Sequence, residues 1–138
     1  MKEIKELKEI KTYYRPSGNL KEVRYYENGV PNGQWMGFHV DGKLHSILWY
    51  KNGEIVREER RGYHVNGNLY WIGYYEDDMR EGEWKFYNSQ GKLKRVGSYK
   101  NDRRQGEWKS YRENGTLRTI RLYRDGELIE KKHFKNKR

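Results

Sequence analysis

The sequence predicts an all-β fold: an elongated, single twisted antiparallel sheet of tandem β-hairpin repeats, with a short helix at the amino end. Three observations point there. Gly18, Gly42, Gly67, Gly91 and Gly115 recur 24, 25, 24 and 24 residues apart. A leucine follows each glycine by two (Leu20, Leu44, Leu69, Leu93, Leu117), and a tyrosine follows each leucine by six (Tyr26, Tyr50, Tyr75, Tyr99, Tyr123). Alanine, the strongest helix former, is absent, while Tyr, Trp, Val and Ile fill the periodic positions.

Taken in order, residues 1–11 form an amino-terminal cap. Ile4, Leu7 and Ile10 recur every third residue, which suits a short amphipathic helix over residues 2–11, although the stripe drifts around its surface. Its expected task is to cover the open edge of the first hairpin. Residues 12–130 hold about five hairpin units, with a fourth column that is always aromatic: Tyr14, Phe38, Tyr63, Tyr87 and Tyr111. Gly33-Gln34-Trp35, Gly82-Glu83-Trp84 and Gly106-Glu107-Trp108 open three units, and Glu58-Glu59-Arg60 stands at the equivalent place in another.

Within a unit, bulky and polar residues interleave along Gly82 to Tyr87, turn at Asn88-Ser89-Gln90-Gly91, and continue through Leu93 to Tyr99. The links Asn28-Gly29, Asn52-Gly53, Asp77-Asp78, Asn101-Asp102 and Asp125-Gly126 are residue types that tolerate the positive φ of a tight reversal. On the second strand of each unit, Leu93, Tyr99 and their counterparts share one face. Val23, Ile47, Ile72, Val96 and Ile120 share the other. Ten strands at ~4.8 Å spacing give a ribbon about 48 Å long that twists into a trough. Residues 131–138 form a basic tail that is free to be disordered, and the whole chain, 1–138, reads as a single repeat domain.

Composition narrows the function. Of 138 residues, 33% are hydrophobic and 15% aromatic, so what can be buried is largely Tyr and Trp. With no cysteine there is no disulfide framework, thiolate chemistry or Cys-based metal site. No run approaches the ~20 apolar residues of a spanning helix, and the amino end lacks a secretory signal, so the expected location is the cytoplasm.

No catalytic constellation outweighs a structural reading. His39 and His64 occupy equivalent columns, yet zinc asks for three or four ligands and no third joins them. Glu59, Glu83 and Glu107 make a carboxylate row best read as solvated rungs, with Lys85 or Lys109 nearby. No phosphate loop or nucleophile elbow is present. The expectation is a non-enzyme with no cofactor and no metal.

Charge remains. Residues 1–69 carry 12 basic and 9 acidic side chains, net +3, whereas 70–138 carry 18 and 11, net +7. In the carboxyl-terminal units Trp84, Tyr87, Arg95, Trp108, Tyr111 and Arg121 are the candidate partner-binding residues, a mixture of rings and cations suited to an acidic protein surface. The same mixture suits single-stranded nucleic acid. Mimicry of DNA phosphate by this basic chain is excluded.

The unit Gly-Glu-Trp-x-x-Tyr-x-x-x-Gly-x-Leu, followed by Tyr and an Asn-Gly-like turn, resembles the MORN repeat in the variant form of bacterial YwqK-type antitoxins. The resemblance covers about residues 11–130 and rests on residues that build the sheet. It implies a stack of hairpins used as a binding surface. The function it implies is an antitoxin or inhibitor that neutralises a toxin, nuclease or other effector by occlusion. Direct nucleic-acid binding and attachment to an anionic phospholipid surface are the two alternatives, and the oligomeric state is left open.

Overall fold

The structure is a computed structural model that describes residues 4–136. Among these residues are twelve strands and no helix. They form one open antiparallel sheet in hairpin order, β1-β2-β4-β5-β6-β7-β8-β9-β10-β11-β12, with the two-residue β3 paired to β2 off that path. The chain divides into two compact units, residues 1–60 and 61–138.

The first unit contains β1 (Leu7–Tyr13), β2 (Leu20–Glu27), β3 (Val30–Pro31), β4 (Gly33–Phe38), β5 (Leu44–Lys51) and most of β6 (Glu54–Tyr63). Asn52 and Gly53 adopt φ of 52° and 84°, the left-handed pair of a two-residue hairpin turn. The helix expected over residues 2–11 is absent from the described part of that segment. Leu7–Tyr13 is instead a strand paired antiparallel with β2, from Leu7 opposite Glu27 to Tyr13 opposite Leu20. A stripe only ten residues long nucleates a helix poorly. β2 offers a ready row of backbone partners, and that row decides the outcome. Lys2 and Glu3 lie outside the described residues.

Val23 is buried at 3% exposure, and Trp35 packs between Tyr26 and Tyr50 at ring distances of 5.2 and 4.5 Å. Leu48 is flanked by Trp35 on β4 and Glu58 on β6. Across β5, Glu58 thus stands opposite Leu48 and Arg60 opposite Ser46. Arg60, two residues on and on the same face, is ion-paired with Glu58.

The second unit contains β7 (Leu69–Glu76), β8 (Met79–Tyr87), β9 (Leu93–Lys100), β10 (Arg103–Tyr111), β11 (Leu117–Arg124) and β12 (Glu127–His133). Asp77 and Asp78 make its first link, at φ of 50° and 61°. Side chains tie successive turns together. His64 Nε2 bonds the Tyr87 carbonyl at 2.8 Å, Asn68 Nδ2 donates to Ser89 O at 2.8 Å, and Lys92 Nζ donates to Glu113 O at 3.1 Å. The core is Trp84, Tyr99, Trp108 and Tyr123, with Trp71, Tyr75 and Phe86 against it. Lys131 and Lys132, expected in a loose tail, belong to β12 and pair with Arg121 and Ile120. Lys137 and Arg138 lie outside the described residues.

Candidate functional site

The site grows from an alternation of glycine and tryptophan along one line across the second unit. Trp84 stands opposite Gly97 on β9, and the adjoining registers set Gly73 beside Trp84 and Trp108 beside Gly97. Each indole crosses the glycine of the preceding strand. A Cβ added to Gly73 falls 2.1 Å from Trp84 Cδ2, and one added to Gly97 falls 2.0 Å from Trp108 Cδ2. The indole N–H then donates to a backbone carbonyl of that strand, Trp84 to Tyr74 at 3.2 Å and Trp108 to Ser98 at 3.0 Å. The Tyr99 ring meets both indoles edge-on, 5.5 Å from Trp84 and 5.0 Å from Trp108.

Arginines lie over these rings. The Arg95 guanidinium sits 4.4 Å from the centre of Phe86, the residue opposite it on β8. Arg104 lies 4.9 Å from the ring of Trp108 and 5.3 Å from that of Tyr123, whose hydroxyl accepts its Nη1–H at 3.0 Å. Burial pushes Arg104 toward a lower pKa, but its bonds to Tyr123 and Tyr99 outweigh this and hold it above its ordinary value. Arg121 stands opposite Trp108 on β11, where the alternation calls for another glycine, and donates to Thr119 Oγ1 at 3.2 Å. Lys131 follows it on β12, in place of another tryptophan. None of the described carboxylates forms an ion pair with Arg95, Arg104 or Arg121. Arg80, over Tyr99 at 4.2 Å, is by contrast bound to Asp102 at 2.6 Å. Trp71, Phe86, Arg80, Arg95 and Tyr99 help line a shallow depression of about 570 Å³ on this face.

The other face is differently charged. Ile72, Lys85, Val96, Lys109, Ile120 and Lys132 form one rung across the strands. Glu83, Glu107 and Glu130 stand two residues before the three lysines and on the same face, with Glu83 and Lys85 3.5 Å apart. Acid sits beside base along this rung, whereas the tryptophan face of the same strands carries Arg95, Arg104 and Arg121.

The structure brings Arg95, Arg121, Trp84 and Trp108 to one face. At 4% and 3% exposure the two tryptophans support that face from within rather than offering contact area. Tyr87 ends β8 with its carbonyl engaged by His64. Tyr111 ends β10 and lines a second depression, about 620 Å³, with Lys94, Arg112, Arg118 and His133. Phe86 and Arg104 are not among the candidate partner-binding residues that the sequence offers. Nothing local distinguishes Arg104 from the neighbouring Arg103, because only the cross-strand register places it over Trp108.

His39 packs edge-on against His45 at 4.8 Å and His64 stacks on Tyr70 at 4.3 Å. No group of three or more metal-ligating side chains gathers among the described residues. Glu59 is buried at 6% exposure, whereas Glu83 and Glu107 are exposed. What the site can do chemically is hold anions against a rigid aromatic floor.

No curated protein matches the chain. Residues 80–101 and 104–125 each match the model of the MORN repeat variant, so the two units that carry Trp84 and Trp108 are similar to that repeat.

Proposed function

We propose that this chain is a non-catalytic binding module that neutralises a toxin, nuclease or other effector protein by covering an acidic patch on it with the tryptophan face of residues 61–138. The observation that carries this reading is the set Arg95, Arg104 and Arg121. Arg95 lies over the half-buried Phe86, Arg104 over the buried Trp108, and Arg121 stands opposite Trp108, and no described carboxylate is ion-paired with them. Arginine over a fixed ring is already ordered, so docking an acidic surface costs little additional side-chain entropy. The match to the MORN repeat variant, typically a non-catalytic binding repeat, agrees with it.

Single-stranded nucleic acid ranks lower for a physical reason. Trp84, Tyr99, Trp108 and Tyr123 are all at or below 9% exposure, so these rings are not free for bases to stack on. The test is capture from a lysate of the source organism with the tagged chain and with its Arg95→Glu/Arg121→Glu variant, alongside titration with a single-stranded oligonucleotide and with vesicles of anionic phospholipid. A protein retained by the parent chain and lost by the variant, with the circular dichroism spectrum unchanged, supports the reading. Retention by both chains moves the interface elsewhere, and tight binding of the oligonucleotide or the vesicles replaces the proposed partner class.

A further inference from the structure

β1 is the outermost strand of its side of the sheet, paired with β2 alone among the described residues. All seven of its residues are exposed, Leu7 at 74% and Tyr13 at 56%. Its free side can be read from its bonds. The Glu6 N–H donates to Asn28 Oδ1 at 2.9 Å and the Glu6 carbonyl accepts the Asn28 N–H at 2.8 Å. Even-numbered residues therefore direct their backbone groups toward β2. Leu7, Glu9, Lys11 and Tyr13 direct theirs outward, as an edge does when another strand can still be added.

We propose that a second copy of this chain adds to β1 antiparallel, in the register centred on Ile10, and that the chain associates into a two-fold dimer through this edge. A two-fold axis perpendicular to the sheet keeps each face continuous, so only residues of the same parity can stand opposite one another. Centred on Ile10, the register sets Ile10 against Ile10, Leu7 against Tyr13 twice, and Glu9 against Lys11 twice. The outward backbone groups of Glu9 and Lys11 then meet as hydrogen-bonded pairs. The neighbouring registers fail on charge. Centring on Glu9 opposes Glu9 to itself and Leu7 to Lys11, while centring on Lys11 opposes Lys11 to itself and Glu9 to Tyr13. Opposite charges directly across a strand pair stabilise it and like charges destabilise it.

The Glu9 and Lys11 side chains already meet 3.2 Å apart on one face of β1, so in the dimer the four charges form a single alternating cluster. The other outer strand is less suited. Centred on Lys131 or on Glu130, β12 opposes that residue's charge to itself at the axis. Seven residues of edge make a small interface, so the dimer is weak and concentration-dependent.

Sedimentation equilibrium over a wide concentration range tests the proposal. The mass is expected to climb from 16.9 kDa toward twice that value and to fall back in high salt. Ile10→Lys and Glu9→Lys should each abolish the rise, and Glu9→Lys/Lys11→Glu should restore it. The chain has no cysteine, so a second measurement fixes the register without relying on affinity. Across a non-hydrogen-bonded pair the α-carbons are about 4.5 Å apart, within disulfide reach. Ile10→Cys should therefore cross-link two copies under a mild oxidant. Lys8→Cys, whose copies would lie roughly 14 Å apart at ~3.4 Å per residue, should not. A monomer at every concentration, a dimer indifferent to Ile10→Lys, or equal cross-linking at both positions overturns the proposal.

Discussion

The indole of Trp108 lies across the α-carbon of Gly97, so closely that a methyl group built on the glycine would sit 2.0 Å from the ring. Gly97 is thus required for space and not for conformation, and its φ is not among the positive ones. Gly97→Ala should destabilise the chain by roughly 1–3 kcal/mol through overpacking, and Trp108→Ala by about 3–5 kcal/mol through the cavity it leaves. The two effects should not add. With the indole gone, the alanine costs almost nothing, and a double-mutant cycle from urea unfolding midpoints reads that coupling directly.

Arg104 is expected to behave as a lid on two rings rather than as a free charge. Arg104→Ala removes its contact with Trp108 and Tyr123 and should cost on the order of 1 kcal/mol. Arg104→Lys keeps the charge but loses the planar contact and the fixed bond to Tyr123, so its unfolding midpoint should fall between the two. Equal stability of all three forms would remove Arg104 from the structural account of this face.

Asp102 titrates below the usual carboxylate value. The Arg80 side chain is the first cause and the Arg80 backbone N–H the second. A depressed carboxyl contributes stability that is complete above its unfolded pKa, near 3.8, and is lost as pH falls through the folded value. Carbon-detected NMR titration should find Asp102 low in the parent chain and closer to ordinary in Arg80→Ala, which should also unfold at a less acidic pH.

His45 contributes a pH dependence to the first unit just below neutrality. Burial, followed by the nearby charges of His39 and Arg60, holds its imidazole below the usual 6.5, so folding favours the neutral ring. Because the unfolded chain binds the proton more readily, stability is full above 6.5 and declines as pH falls through the folded value. His45→Asn should flatten that decline between neutral and mildly acidic pH. A thermal midpoint series across that range measures it, and an unchanged slope would move the effect to another group.

Strand positions and turns were legible in the sequence because they depend on neighbours one or two residues away. Alternation along Gly82 to Tyr87 dictates which side chains share a face. Asn52-Gly53 and Asp77-Asp78 adopt the left-handed pair that reverses the chain, as their chemistry requires. The candidate site was legible only in part. Arg95 and Arg121 were singled out and do share a face with Trp84 and Trp108, but the burial of those tryptophans follows from Gly73 and Gly97 on adjacent strands. Phe86 and Arg104 gain their significance from cross-strand partners as well.

The sequence alone therefore determined the period, the hairpins and the aromatic columns, since each is written in local spacing and turn chemistry. Tertiary structure decided what those residues meet. It drew residues 7–13 into a strand by offering β2 as a partner, placed Glu58 rather than Arg60 beside Leu48, and set Arg104 over Trp108. The physical reason is the same in each case. Register across strands is fixed by bulges and by backbone bonding between segments remote in the chain, and a shift of one or two residues there changes every neighbour without altering the local pattern.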